Sequence, residues 1–282
     1  MTNIKILEWN INQRSCEKLF PDYIISEIAQ RNPDVIVLVE FKGKENKNRL
    51  DHAFSEDYFT YSYTSSQYTN KNKVKIGNGI YIALKKSIFN EPDPKEDVAQ
   101  EEDFKNNQPN WLRIKCKLQT GEELTISGVR IKTGIKSRNR KEELQDRKKQ
   151  IEWILEKNKN FNNQIIVGDL NYGQSETDWE SSLKLNWQDI IYLMRDKGYL
   201  DGNQYSPYAP AGSSFRDRTL DWLIIRGISI DYNSKYNKLD WDFGKNNNNL
   251  PYLDGYMVPE GYFVISEPSY PDHAILMTEV VV

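Results

Sequence analysis

Along most of the chain, short apolar runs with the spacing of buried strands alternate with a few stretches of helical period. Ile4 to Ile11 reads as a strand. Pro21 to Arg31 sets Ile24, Ile25 and Ile28 on one helical face and opens on proline, which the first helical turn tolerates. Asp34 to Glu40 is a run of valine, isoleucine and leucine, the signature of a buried strand, and it ends in a carboxylate. Further strands are predicted near 58–64, 78–85, 110–118 and 123–132. A long helix is predicted from Arg138 to Asn158, with Leu144, Ile151, Ile154 and Leu155 as its apolar stripe. Gln164 to Gly168 reads as another buried strand, and Trp187 to Lys197 as a helix stopped by Gly198. Leu220 to Arg226, Phe263 to Ile265 and Ala274 to Val282 complete the expected strands.

Many strands and few helices predict a mixed α/β architecture with helices packed outside sheets. No Gly/Ser or Pro-rich linker and no internal repeat divides the chain, so one domain over 1–282 is expected, with Glu91–Asp103 and Asn246–Asn249 as surface loops. Its 38% hydrophobic and 12% aromatic content excludes a disordered chain. Apolar runs such as Val35–Val39 are far shorter than the roughly 20 residues that cross a bilayer, so no membrane partner is expected. The strand at the N-terminus leaves no room for a signal peptide. Cys16 and Cys116 lack metal-ligand spacing, which fits a reducing, cytoplasmic setting without disulfides. A net charge of −3 does not advertise a polyanion binder, so nucleic-acid binding would have to rest on local chemistry.

That chemistry lies at the strand ends. Asn10 follows Leu-Glu-Trp, Glu40 closes Val-Leu-Val-Glu, and Asp169 and Asn171 lie in Ile-Val-Gly-Asp-Leu-Asn. Asp221 sits in Thr-Leu-Asp-Trp-Leu, and Asp272 and His273 precede the last strand. A carboxylate against buried strands costs several kcal/mol unless something pairs with it. Several together are best explained by a shared cation. Carboxylates and amides are hard oxygen donors suited to Mg²⁺ or Mn²⁺, and with only His52 and His273 in the chain a histidine-rich zinc site is excluded.

The motifs Trp9-Asn10, Val39-Glu40, Gly168-Asp169-Leu170-Asn171, Leu220-Asp221-Trp222 and Pro271-Asp272-His273 occur in the order found in the endonuclease/exonuclease/phosphatase superfamily, which the chain resembles from residue 9 to 273. The resemblance implies a deoxyribonuclease I-like fold, a four-layer sandwich of two mixed β-sheets packed face to face with helices outside. It implies that Glu40, with Asn10 beside it and Asp272 nearby, holds the metal. Asp169 and Asn171 would position the attacking water and the scissile phosphate, and Asn12 would add a substrate contact. His273 would bond the phosphate or act as general base, oriented by Asp221. One position departs from the pattern. Arg130 stands where many members carry histidine or tyrosine, and arginine can clamp a phosphate but cannot be an acid or base near neutrality. Either Arg130 stabilises transition-state charge or the site has drifted from the usual reaction.

Three functions follow. The leading one is a nuclease, a metal-dependent phosphodiesterase acting on DNA or RNA. The second is a phosphatase or phosphodiesterase for inositol phosphates, sphingomyelin or another small phosphoester. Gly168–Tyr172 resembles the inositol-polyphosphate phosphatases, but Gly173 stands where they usually have arginine. The third is a binding module that has lost catalysis. No obligate protein partner is legible. The stretch 132–149 holds eight basic and three acidic residues, a solvated helix face or a phosphate-backbone contact. Tyr232 to Tyr262 mixes aromatics with lysines, as an anchored loop or a base-stacking surface would. His52 reads as a surface histidine, and Trp9, Trp153 and Trp222 as core. Substrate choice is expected in loops 41–56, 66–77, 172–186 and 233–262.

Overall fold

The computed structural model describes residues 1–11, 19–41, 43–64, 79–100, 108–133, 140–172, 206–209, 219–241, 243, 257–258, 262–263 and 273–282. Valine- and isoleucine-rich runs form the strands β1 (Asn3–Asn10), β2 (Val35–Phe41), β3 (Tyr58–Thr64) and β4 (Gly79–Lys85) of one sheet. A second sheet takes β5 (Val98–Ala99), β6 (Asn110–Lys117), β7 (Glu123–Arg130), β8 (Gln164–Asp169), β9 (Ser206–Tyr208) and β10 (Asp221–Arg226). The chain then returns to the first sheet with β11 (Ser229–Ile230) and β12 (Lys238–Asp240). It forms a small hairpin of β13 (Met257–Val258) and β14 (Tyr262–Phe263), and ends on β15 (Ile275–Val281).

Both sheets are built around a parallel pair. β1 and β2 run parallel with helix α1 (Tyr23–Arg31) between them in sequence, and β15 flanks β1 antiparallel. β7 and β8 run parallel with helix α3 (Arg140–Asn158) between them, and β10 flanks β8 antiparallel. The sheet orders are β11-β15-β1-β2-β4-β3 and β5-β6-β7-β8-β10-β9, with β12 also paired to β15. Strand alternation then sorts the side chains into layers. Ile4, Ile6, Val37, Ile82, Ile126, Val167 and Leu223 pack between the sheets. Leu7, Trp9, Leu38 and Ile275 face outward with Ile24 and Ile28 of α1, while Val129, Ile166 and Trp222 face Ile151, Ile154 and Leu155 of α3. This is the expected four-layer, deoxyribonuclease I-like sandwich.

The long helix, the buried strands and the tryptophan core match the sequence expectations, with Trp153 packed at the edge of the α3 layer. One expected loop is instead a helix, α2 (Lys44–Phe54), within 41–56. Its sequence is dominated by charged and amide residues, which hid the spacing. Leu50 and Phe54, one turn apart, are its buried anchors, with Asn46 a turn earlier. Asn46 Oδ1 accepts a hydrogen bond from the Phe20 amide at 3.0 Å, so a polar residue serves as the third anchor. The short strands β5, β9, β11 and β12 carry too few residues to show a period. The predicted helix at 187–197, Gly198, Cys16, loop 66–77 and Asn246–Asn249 lie outside the described residues.

Close approach of the sheets is written into one glycine. A Cβ on Gly128 would lie 2.8 Å from Ile80 Cγ2 and 3.0 Å from Val37 Cγ1, so the first sheet passes directly over β7 two residues before Arg130. Gly168, at φ +143°, would set a Cβ 2.0 Å from the Val129 carbonyl oxygen. Only glycine holds that turn of backbone immediately before Asp169.

Candidate functional site

The parallel pairs of the two sheets end at the same edge of the sandwich. β1 ends on Asn10, β2 carries Glu40 one residue before its end, β7 ends on Arg130 and β8 on Asp169. The antiparallel neighbours begin there, β10 on Asp221 and β15 just after His273. Arg130, Asp169 and Asp221 lie in one cross-strand row of the second sheet. Glu40 is a bulge residue, because the register of β2 against β4 shifts between Val39 and Phe41. Its φ of +60° is one that non-glycine residues rarely adopt, and it turns the carboxylate into the cleft between the sheets.

A hydrogen-bonded chain joins these residues across the two sheets. The imidazole Nδ1–H of His273 donates to Asp221 Oδ2 at 2.7 Å. That bond fixes the tautomer and leaves Nε2 as the basic nitrogen, 3.5 Å from Asn10 Nδ2. Asn10 Nδ2 also donates to Asp169 Oδ2 at 3.0 Å, so the first sheet grips the second through this amide. Asp169 accepts from the Asn171 backbone at 2.7 Å and from Asn171 Nδ2 at 2.7 Å. Asn171 takes the left-handed conformation (φ +47°), which asparagine tolerates, and its side chain reaches the Ile131 carbonyl as well. Trp9 Nε1 donates to the His273 carbonyl at 3.0 Å and holds that residue's backbone. Arg130 donates through Nε to Glu40 Oε1 at 2.5 Å, and its Nη2 lies 2.5 Å from the same oxygen.

The structure therefore brings together Asn10, Glu40, Arg130, Asp169, Asn171, Asp221 and His273. Asn12 and Asp272 lie outside the described residues. Burial raises the Asp169 carboxyl to about 6, and Asp221 and Glu40 push the same way against the lowering influence of His273 and Arg130. Among the described residues, no group of three or more His, Cys, Asp or Glu stands ready-made for a metal ion. The oxygen donors nevertheless fit a hard cation that takes one or two protein ligands and completes its shell with water and phosphate. Glu40 supplies an inward carboxylate. The Asn10 amide nitrogen is committed to Asp169, and its carbonyl oxygen is the donor type that such a cation accepts.

Three residues of this region were not foreseen as part of it. Lys132 and Arg147 belong to the stretch expected as either a solvated helix face or a phosphate-backbone contact, and both are buried. The Lys132 amine is pulled down to about 8 by burial and by the nearby Arg130 charge, and Gln150 brackets its backbone. Arg147 donates to the Asn171 carbonyl at 2.5 Å and pairs with Glu143, so α3 steadies the Asp169–Asn171 turn. The third is Glu8. It is fully buried, neither carboxylate oxygen has a hydrogen-bond partner among the described residues, and it follows Ile4 and Ile6 in the inward-facing series of β1. That alternation was the signal available in the sequence. Burial first, then Asp221 and Asp169, raise its pKa well above 4.5.

A stability prediction follows for Glu8. Its folded pKa lies above its unfolded value, so its contribution is full below about pH 4.5 and is lost as pH rises through the folded pKa. The unfolding free energy of Glu8→Gln, measured by denaturant titration across pH, is therefore expected to fall less with rising pH than that of the wild type. Parallel pH profiles for the two proteins would show that Glu8 carries no such linkage.

In the segment Tyr232–Tyr262, Trp241 and Phe243 are anchored, whereas Tyr232 is exposed. Phe243 packs edge-on against Trp9 at 4.9 Å between ring centres, and the Trp241 and Tyr23 rings also lie against it. Tyr252 and Tyr256 lie outside the described residues.

The chain belongs to the Endonuclease/Exonuclease/phosphatase family, whose sequence model matches residues 7–234. Members of that family hydrolyse phosphoester bonds and generally use divalent metals. No curated protein matches the chain in sequence. Among solved structures it resembles a humanized D. rerio TDP2, at 17% identity over 99% of both chains with a TM-score of 0.59. It resembles D. rerio TDP2 complexed with a single-strand DNA product, at 16% identity over 100% of both chains and a TM-score of 0.55. It also resembles ANGEL2, a 2′,3′-cyclic phosphatase, at 11% identity over 99% of this chain and 95% of the other, with a TM-score of 0.58. At these identities the likeness establishes the shared fold.

Proposed function

We propose that this chain is a divalent-metal-dependent phosphodiesterase that hydrolyses nucleic-acid phosphodiester bonds. The observation that carries the proposal is the bonded series Asp221–His273–Asn10–Asp169–Asn171, set opposite Glu40 and Arg130 where the strands of both sheets end. His273 Nε2 takes the proton of the attacking water, and Asp221 stabilises the imidazolium that results. Asp169, fixed by three hydrogen bonds, aligns the water, and Asn171, whose N–H groups are committed to Asp169 and the Ile131 carbonyl, keeps that carboxylate in place. The water oxygen bonds to phosphorus, the ester P–O bond breaks, the departing alkoxide takes a proton from solvent, and the imidazolium returns its proton to solvent. Glu40 and Asn10, with Asp272, would hold Mg²⁺ or Mn²⁺, which supplies charge neutralisation for the phosphoryl and leaving oxygens. Lys132 adds positive charge on the same side as Arg130.

The TDP2 relative bound to a single-strand DNA product supports nucleic acid as the substrate class. The overall charge of −3 favours single strands, ends or short substrates over nonspecific duplex binding. A small phosphoester is the second reading, supported by the ANGEL2 likeness and by the same charge.

The test is cleavage of end-labelled single- and double-stranded DNA and RNA with Mg²⁺, Mn²⁺ or EDTA. Metal-dependent cleavage is the expected result. Turnover only of a 2′,3′-cyclic phosphate or an inositol phosphate would move the substrate to the second reading, and activity undiminished in EDTA would end the metal-dependent one.

A further inference from the structure

The ion pair between Arg130 and Glu40 joins the two sheets, and it places a cation where a metal would have to go. Nε and Nη2 of Arg130 both lie 2.5 Å from Glu40 Oε1. The pair is shielded, with side-chain exposures of 12% and 3%. A divalent ion binds a carboxylate oxygen at about 2.0–2.6 Å. That is the distance the guanidinium nitrogens already occupy, and two cations on one oxygen also repel. Arginine stays charged at all working pH values, so proton loss cannot clear the position. Only movement of the guanidinium can. The bulge at φ +60° sends the Glu40 side chain toward the guanidinium, and the buried carboxylate is held there by the ion pair. Arg130 hangs from a flexible stem at the last position of β7, in the row that ends on Asp169 and Asp221. A phosphate offers it two oxygens in the fork geometry that guanidinium prefers.

We propose that Arg130 is an internal competitor of the divalent cation at Glu40, displaced when a substrate phosphate draws the guanidinium away, so that metal and phosphate bind cooperatively. The proposal rests on the metal-dependent reading above and assigns Arg130 a gating role within it. Linkage makes the effect reciprocal, because whatever phosphate does for metal affinity, metal does for phosphate affinity. The free protein then binds metal weakly, and the complete site forms only with its substrate.

The experiment is Mn²⁺ binding to the full chain, followed by loss of the free-ion paramagnetic resonance signal in phosphate-free buffer. Arg130→Gln is expected to bind Mn²⁺ about tenfold more tightly than the wild type, or more, corresponding to about 1.4 kcal/mol. Arg130→Lys, which keeps a charge but loses the fork, is expected to fall between them and guards against misfolding of the first variant. Inorganic phosphate should tighten Mn²⁺ binding in the wild type by a larger factor than in Arg130→Gln. Thermal melting gives a second readout. In EDTA, Arg130→Gln should melt below the wild type, because Glu40 loses its guanidinium, and Mn²⁺ should raise its melting temperature by more than it raises the wild type's. Arginine variants that bind Mn²⁺ no more tightly than the wild type would overturn the proposal while leaving metal-dependent cleavage intact. Tight binding in Arg130→Gln without turnover of any phosphoester by the wild type would instead remove the enzymatic reading and keep the competition. Absence of Mn²⁺ binding in every form would end both.

Discussion

Replacement of His273 by alanine is expected to slow phosphoester hydrolysis by about 10²–10⁴-fold, the usual worth of a positioned acid–base group. The loss should appear in kcat, because the imidazole acts on a proton that moves only in the reaction. His273 is buried, and its Nδ1–H is committed to Asp221 at 2.7 Å, so Nε2 faces the cleft beside the Asn10 amide. Asp221→Asn probes the same function from behind. The amide can present its NH₂ to Nδ1, which moves the imidazole proton to Nε2 and removes the base. Asp221→Asn should therefore fall toward the His273→Ala level, and the double variant should be little worse than either single one, since residues acting as a unit lose their effect once. The check is kcat and KM for the singles and the double on the preferred phosphoester. Additive losses would mean that Asp221 and His273 act separately, and a change confined to KM would make His273 a binding residue only.

The layers were legible in the sequence because strand alternation and helical spacing are properties of the burial itself. Val35–Val39 and Gln164–Gly168 read as interior strands by composition and are buried strands, and Ile151, Ile154 and Leu155 mark the face of α3 that covers the second sheet. The polar ends of those strands were equally legible, since Asn10, Glu40, Asp169 and Asp221 interrupt apolar runs and demand a partner. What the sequence concealed were partnerships between distant segments. Nothing in Val-Arg-Ile-Lys says that Arg130 meets a carboxylate 90 positions earlier, because that contact depends on the approach of two sheets over Gly128 and on the bulge at Glu40. α2 was hidden for a different reason. Its anchoring needs only Leu50, Phe54 and an amide, too few apolar positions to outweigh the charged residues around them. Lys132 and Arg147 looked like surface charge, yet they hold their positions through the site itself, Lys132 beside Arg130 and Arg147 on the Asn171 carbonyl.

Asp169→Asn is expected to reduce kcat by a factor on the order of 10²–10⁴, and the pH profile of the wild type is expected to show why. The carboxyl is fully buried and raised to about 6, yet it accepts three hydrogen bonds from Asn10 and Asn171 that suit its ionised form. In the proposed reaction the ionised carboxylate aligns the water, so kcat/KM should fall as pH drops through about 6, approaching tenfold for each further pH unit. A cation at Glu40 favours the ionised form, so raising Mg²⁺ should move that limb to lower pH. Stability runs the other way. The folded pKa lies above the unfolded value of 3.8, so this group's contribution is full below pH 3.8 and is lost as pH rises through about 6. Between those limits the protein is more stable and less active, as expected of a carboxylate kept buried for chemistry at some expense to folding. Denaturant titrations in EDTA and kcat/KM profiles on wild type and Asp169→Asn read both halves. If Asp169 is the group responsible, the variant loses the acid limb from its residual activity and flattens its stability profile over the same range. An acid limb that persists in Asp169→Asn would transfer the titration to another group of the cleft.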